Sequence, residues 1–556
     1  MTLLVRPVGG YLANVFTGGR TFADPVLRPV ERAIYRVTGV DADEGMDWKA
    51  YSWAFARFGA LGTVALYLLL RAQPALPWYD EVGPTTPMTA DLAFNTAVSF
   101  ATTTTWQAYA GEATMSYFSQ LAGLTAQNFL AGASGLAVGV AFFRGFARRS
   151  REDLGNFWVD LVRAILWVLL PTAIVGSLVL VWQGVPLNLN ASTQVETVAG
   201  GTQTIAQGPV AALETIKNLG TNGGGFFNAN AAHPFENPTP LTNLFHLLAI
   251  TVLPAALTYT HGRFIGRQRD GWVLYAVMVV LFTVGLLANG WAEGEGNPAL
   301  TAAGADQGVD VGREAAPGGN MEGKEVRFGI GGTALAVVAT SNGATGSLHD
   351  SLTPLGGLVP LVNMLLGGLG TGIYSIVLVA LLGLFIAGLM VGRTPEYFGK
   401  KIGPAETRVI MLYSLAGTAM ILLLTALAVS TDAGRAGLTT NDGLHGLTEI
   451  LYAYTSSLAN NGQNFAGLSA NTPFYNLTTA AAMLVGRLGL GVAALALAGL
   501  FARQDQRAPT VGTIRTDTPL FASVLVGTAL IVLAFSYVPV LALGPLIEHA
   551  MMRSGG

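Results

Sequence analysis

The residues of this sequence best suited to chemistry are glycines and neutral oxygen donors, set between apolar runs. They are Thr221, Asn222, Gly223, Gly224 and Gly225, within the stretch Asn218-Leu219-Gly220-Thr221-Asn222-Gly223-Gly224-Gly225-Phe226-Phe227-Asn228. Glycine reaches positive φ without a Cβ penalty, so such a strand can turn successive carbonyl oxygens toward one axis, where they replace the water shell of a cation. Thr221 adds a hydroxyl. Residues 209–219 before it are too short to span a bilayer but long enough for a half-helix whose C-terminal dipole end faces a cation. Taken alone, the stretch reads more readily as a glycine-rich surface turn.

Recurrence favours the filter. Thr102-Thr103-Thr104, Thr221-Asn222-Gly223, Ser341-Asn342-Gly343 and Asn460-Asn461-Gly462 each follow a short helical segment, and their third residues fall 119, 120 and 119 positions apart. Near-equal intervals predict a fourfold internal repeat surrounding a single ion axis. The first copy lacks the glycine, which predicts a stiffer backbone there.

The elements that must hold these strands are membrane helices. Of 556 residues, 51% are hydrophobic and 11% charged, with mean hydropathy +0.49, the balance of a polytopic all-α membrane protein. A net charge of −3 predicts no nucleic-acid partner. The absence of cysteine excludes disulfides, thiolate metal sites and cysteine nucleophiles. The sequence holds neither a Gly-x-x-x-x-Gly-Lys-Ser/Thr loop nor an Asp-Lys-Thr-Gly-Thr motif, so no ATP chemistry, catalytic residue or cofactor beyond a transported ion is expected in this chain.

The chain divides into a basic stretch at 1–50, four repeats at 51–148, 158–263, 272–400 and 406–503, and a final helix at 518–547. Each repeat reads as span, loop, half-helix, filter strand and span. Nine full spans are predicted: 51–72, 120–143, 164–182, 241–260, 272–292, 351–392, 409–430, 477–501 and 518–547. Of the 30 lysines and arginines, 20 lie in alternate loops, which the positive-inside rule places in the cytoplasm. The N-terminus is then cytoplasmic, the C-terminus extracytoplasmic, and the strands open outward. The loop 293–327, with seven acidic and three basic residues, is expected to draw cations to the outer mouth or simply to be solvated.

Single residues add to this. Arg487 interrupts the last repeat's span and is expected to face the ion path, where a fixed charge bars straight passage or weakens ion binding. Gln107 closes the first strand and is expected to hold it by side-chain hydrogen bonds. Arg393 and Glu396 read as a local ion pair at a helix end, and Asp350 as a helix N-cap.

From Arg6 to the C-terminus the sequence resembles the family of potassium-binding subunits of the Kdp potassium-transporting ATPase. The resemblance rests on residues 218–230, His233-Pro234-Phe235-Glu236-Asn237-Pro238-Thr239, Asn320-Met321-Glu322-Gly323-Lys324-Glu325, Gly392-Arg393-Thr394-Pro395-Glu396-Tyr397 with Gly399-Lys400-Lys401, and Phe465-Ala466-Gly467-Leu468-Ser469-Ala470-Asn471. It implies four tandem helix, pore-loop, helix repeats of the potassium-channel-like superfamily in a bacterial cell membrane. It also implies that Thr103, Thr104, Thr221, Asn222, Gly223, Ser341, Asn342, Gly343, Asn460, Asn461 and Gly462 line a potassium filter. Potassium would pass sideways through an intramembrane tunnel to the P-type ATPase of the complex, the Kdp B subunit, with the small C and F subunits alongside. A self-sufficient, gradient-driven channel-like transporter is the alternative, and it leaves the pump-subunit motifs unexplained. The family pattern further implies a transmembrane helix just before Arg6-Pro7, of which this sequence holds Leu3 to Val5, and an acidic residue in some members where this chain has none from Ser351 to Pro395.

Overall fold

The computed structural model describes residues 1–304, 330–367, 373–463, 465–508 and 513–554. The Asn320–Glu325 motif and most of the acidic loop lie outside these residues. Among those described, eight helices are long and apolar enough to cross a bilayer: Trp48–Ala75, Ser119–Ala147, Phe157–Trp182, Pro240–Phe264, Gln268–Gly294, Pro404–Ser430, Pro473–Arg503 and Pro519–Ser554. Four short helices sit between them at Ala90–Ala101, Val210–Leu219, Ile330–Val338 and Gly443–Ala459. Each runs into a non-helical strand, so span, pore helix and strand recur four times.

Local chemistry explains where the helices begin. Thr-Pro pairs open four of them, at 239–240, 353–354, 472–473 and 518–519. The threonine side chain accepts a first-turn N–H and the proline occupies a position whose N–H would have no helical partner. Four spans contain a one-turn π-helical stretch, at Ser119–Thr125, Ala164–Leu169, Val485–Gly489 and Ala542–Leu546. Such turns locally misalign a helix face, and the third of them carries Arg487.

The span Ser119–Ala147 is mostly buried and forms the centre of the largest core with Phe142, Phe143, Phe146 and Phe501. By contrast, Trp48–Ala75 and Pro404–Ser430 expose leucines such as Leu61, Leu68, Leu412 and Leu423. An apolar outer face on a helix with satisfied backbone is what lipid requires.

Two expectations are corrected. The run 351–392 is not one span: it holds two helices, Pro354–Leu365 and Ile373–Met390, and only the second part of it approaches span length. Gly367, at φ 95°, follows the C-cap Leu366 and takes a backbone conformation that the helix cannot continue through. Nor are residues 1–17 a loose basic stretch. Thr2–Thr17 is a helix that crosses Pro7, buries Val5 and Leu12, and packs on Pro240–Phe264. At the crossing Gly9 lies against the backbone of Ala256, and Thr260 Oγ1 donates to Gly9 O at 3.1 Å. Its apolar stripe is legible at helical spacing once Val8, Tyr11, Leu12, Val15 and Phe16 are joined to the stub before Arg6.

Candidate filter and the cavity beside it

Three of the pore helices end in a similar tight turn. The amides of Thr104 and Thr105 donate to Ser99 O at 2.9 and 3.1 Å, those of Asn222 and Gly223 to Lys217 O at 3.0 Å each, and that of Asn461 to Ser456 O at 3.3 Å. Beyond the turn, φ alternates in sign. Thr103 (61°), Thr221 (52°) and Asn460 (54°) are left-handed, as are Thr105 (52°), Gly223 (89°), Gly343 (76°) and Gly462 (72°), with the residues between them on the ordinary side. Alternation of this kind turns successive carbonyls the same way, which is what an ion filter needs. Ser341 differs, ending a 3₁₀ turn at Ala339–Ser341.

The four strands meet in a closed ring. A Cβ placed on Gly223 would run into the carbonyl oxygen of Asn342, one on Gly343 into that of Asn461, and one on Gly462 into that of Thr104. At the remaining junction Thr105 Oγ1 donates to Asn222 O at 2.5 Å. Every third residue thus abuts the preceding carbonyl of the next strand. This ring aligns the first strand as Thr103-Thr104-Thr105, one position later than the spacing of 102–104 suggested. Four consecutive threonines carry no internal mark of register, and equal spacing alone selected the wrong one. The backbone at Thr103 and Thr105 takes the left-handed form despite its side chains, with both hydroxyls turned onto carbonyls of the same strand.

The asparagine side chains serve the scaffold. Asn342 Nδ2 donates to Asn218 Oδ1 at 3.0 Å, and Asn461 Oδ1 accepts from Gln463 N and Ser456 Oγ. Asn460 Nδ2 donates to Thr104 Oγ1 and Met483 O. Asn222 is buried against Gly132 and Gly220 of neighbouring backbone. Ser341 Oγ turns back to Val338 O. Asn222 Oδ1 and Nδ2 have no hydrogen-bond partner among the described residues. Gln107 ties strand ends together as expected, accepting from Gly225 N at 2.7 Å and donating to Gly225 O at 3.0 Å.

A cavity of about 230 Å³ lies where the pore helices point their C-termini, lined by Thr103, Thr221, Asn460 and Arg487 at the ring and by Tyr374, Ser375, Tyr413 and Tyr537 further out. Helix C-termini carry partial negative charge and favour a cation there. Arg487 is 9% exposed, donates to Ala131 O at 2.9 Å and to Ser134 Oγ at 3.2 Å, and lies 5.8 Å from the Phe55 ring centre. Among the described residues it has no carboxylate partner. Gly135 makes room for its guanidinium. Away from Arg487, hydroxyls recur along the cavity: Ser375 pairs with Tyr413, and Tyr537 donates to Thr418 Oγ1.

Other expectations fared differently. Asp350 is not an N-cap: it sits in the turn His349–Ser351, and Thr353 caps the next helix. Asp350 Oδ1 instead pairs with His445 Nε2 at 2.9 Å, while His445 Nδ1 meets Glu548 Oε1 at 2.7 Å. Arg393 and Glu396 form no ion pair among the described residues. Arg393 is exposed, and Glu396 accepts from Thr513 Oγ1. The sequence reading missed the buried group Glu214, Lys217 and Glu236, although two charges in a half-helix at membrane depth were a signal for it.

A family profile described as "Potassium-transporting ATPase A subunit" matches residues 1–550. The chain belongs to this family. A relative from Methylobacterium nodulans, named potassium-transporting ATPase potassium-binding subunit, is 50% identical over 560 residues, covering 99% of this chain and 96% of the relative. One from Granulibacter bethesdensis bearing the same name is 49% identical with the same coverage. The potassium transporter TrkH of Vibrio parahaemolyticus, a solved structure, is similar with a TM-score of 0.50 at 14% identity, covering 80% of this chain and 82% of that one. That likeness shows a shared fold.

Proposed function

We propose that this chain is the potassium-binding and translocating subunit of an ATP-driven potassium uptake pump. The observation that carries the reading is the closed ring in which Thr105, Gly223, Gly343 and Gly462 each abut the carbonyl before the next strand's third residue. A cation enters the ring from the side of the Gln107–Gly225 clasp, is stripped of water by carbonyls, and reaches the cavity at the pore-helix C-termini. Arg487 opposes straight onward passage, since a unit charge in a low-dielectric setting repels a second cation strongly. The way left open runs past Tyr374, Ser375 and Tyr413 toward Tyr537.

That lateral course ends on a partner. The names of the relatives support an ATPase partner, which we take to be the P-type ATPase of the complex, the Kdp B subunit, with the small C and F subunits completing the assembly. This chain hydrolyses no ATP itself. It is a multi-pass protein of a bacterial inner membrane, with its N-terminus cytoplasmic and the ring opening outward, in keeping with the distribution of lysine and arginine. The test is co-expression with the P-type ATPase. Purified complex should hydrolyse ATP on addition of potassium at concentrations where sodium is without effect, and equal stimulation by both ions would contradict the reading.

A further inference from the structure

Behind the second filter strand the fold places a lysine where the other repeats hold small or apolar residues. The residue whose carbonyl receives two strand amides is Ser99 in the first repeat and Lys217 in the second, and Ser456 O receives that of Asn461 in the fourth. Counting back equally from Gly343 gives Val337 in the third. Lys217 is fully buried. Its ammonium lies 2.5 Å from Glu214 Oε2 and donates to Glu236 Oε2 at 2.6 Å and to Asn230 Oδ1 at 2.7 Å.

Each partner leads back to the ring. Glu236 Oε1 accepts from Phe227 N at 2.9 Å, fixing the exit of the second strand. Asn230 donates through Nδ2 to the carbonyl of Gly343 at 3.4 Å, in the third strand. Glu214 Oε1 accepts from Asn218 Nδ2 at 3.2 Å, and Asn218 in turn accepts from Asn342. His246 Nε2 lies 3.3 Å from Glu214 Oε1 and closes the group against Pro240–Phe264.

The geometry points to Lys217, with Glu214 and Glu236, as a positioning residue that sets ion discrimination by bracing strand two against strand three. This rests on the filter reading above. Removing one member of a buried ion group leaves its partners uncompensated, which is costly, while three repeats do without it. The brace therefore makes the second-to-third junction the stiffest part of the ring.

The test compares Lys217→Arg, Lys217→Ser and the near-isosteric neutral triple variant Glu214→Gln, Lys217→Met, Glu236→Gln in the assembled complex, with Gly223→Ser as control. The readout is the ratio of half-saturating rubidium to potassium for stimulation of ATP hydrolysis, alongside co-purification of the subunits. Lys217→Arg should keep the ratio, and Lys217→Ser and the triple variant should assemble yet lower it about tenfold. An assembled triple variant with an unchanged ratio overturns the brace if Gly223→Ser loses discrimination. If Gly223→Ser also keeps it, the filter reading itself fails. Loss of assembly in both Lys217→Ser and the triple variant, with Gly223→Ser assembled, also overturns it, because the group is then a folding element alone.

Discussion

Thr105 Oγ1 donates to the carbonyl oxygen of Asn222, and this is the one junction of the ring where a side chain stands in place of a glycine hydrogen. The same hydroxyl reaches Thr104 O at 2.8 Å, the carbonyl that Gly462 abuts, so Thr105 bridges two carbonyls of the ring. The bond to Asn222 also holds a left-handed threonine, a conformation that costs a β-branched residue energy unless its surroundings fix it. Replacing Thr105 with valine keeps the shape and removes the donor. A net hydrogen bond of about 1 kcal/mol predicts an approximately fivefold weaker apparent potassium affinity, read from potassium-stimulated ATP hydrolysis of the complex. Thr105→Gly should be milder, and an unchanged affinity in Thr105→Val would remove the bond from the account.

Gly223, Gly343 and Gly462 should tolerate no Cβ. A serine at any of them meets a neighbouring carbonyl and is strained by positive φ as well. Ion selection should fail before folding does, because the collision lies in the ring and not in the helical core. Rubidium and potassium uptake by cells carrying Gly223→Ser checks this, with loss of discrimination expected and wild-type discrimination in a well-expressed variant counting against it.

Arg487 is held by Ala131 and Ser134 without a balancing carboxylate among the described residues. Arg487→Gln keeps a donor for those oxygens and deletes the charge. The expected result is a rise in ATP-independent potassium leak, or in ATP spent per ion moved, with the complex still assembled. Equal leak and equal coupling would leave Arg487 a packing residue.

His445 gives a pH signature at the far end of the fourth pore helix. Burial opposes its charge, but hydrogen bonds and attraction from Asp350 and Glu548 outweigh this and push its pKa up from 6.5 to about 10. A folded-state pKa raised above the unfolded one means that the contribution to stability is complete below pH 6.5 and is lost as pH rises through 10. The Tm gap between wild type and His445→Gln should therefore be wider at pH 6.5 than at any higher pH and should narrow steadily toward pH 10. A gap independent of pH would show that the imidazole acts without its charge.

The parts of this architecture legible in the sequence were those that announce themselves locally. Glycine, threonine and asparagine between apolar runs marked the strands, and the segment 209–219, too short to span, marked the pore helix Val210–Leu219. What stayed hidden was set by distant contact. Thr102 to Thr105 offer identical side chains, so only the neighbouring strands at Asn222 and Gly462 decide which threonine takes the glycine place. Glu236 meets Lys217 across a loop, a pairing that no periodicity encodes. Arg6-Pro7 disguised the helix Thr2–Thr17 because its burial depends on Gly9 meeting Ala256.

The central claim is that this chain selects potassium yet moves it only together with an ATPase partner. Potassium flux in proteoliposomes tests it most directly, with the isolated chain in one set and the chain plus its P-type ATPase in the other. The account predicts little passive flux from the isolated chain and ATP-dependent potassium movement from the pair. Rapid ATP-independent potassium flux through the isolated wild-type chain would contradict it.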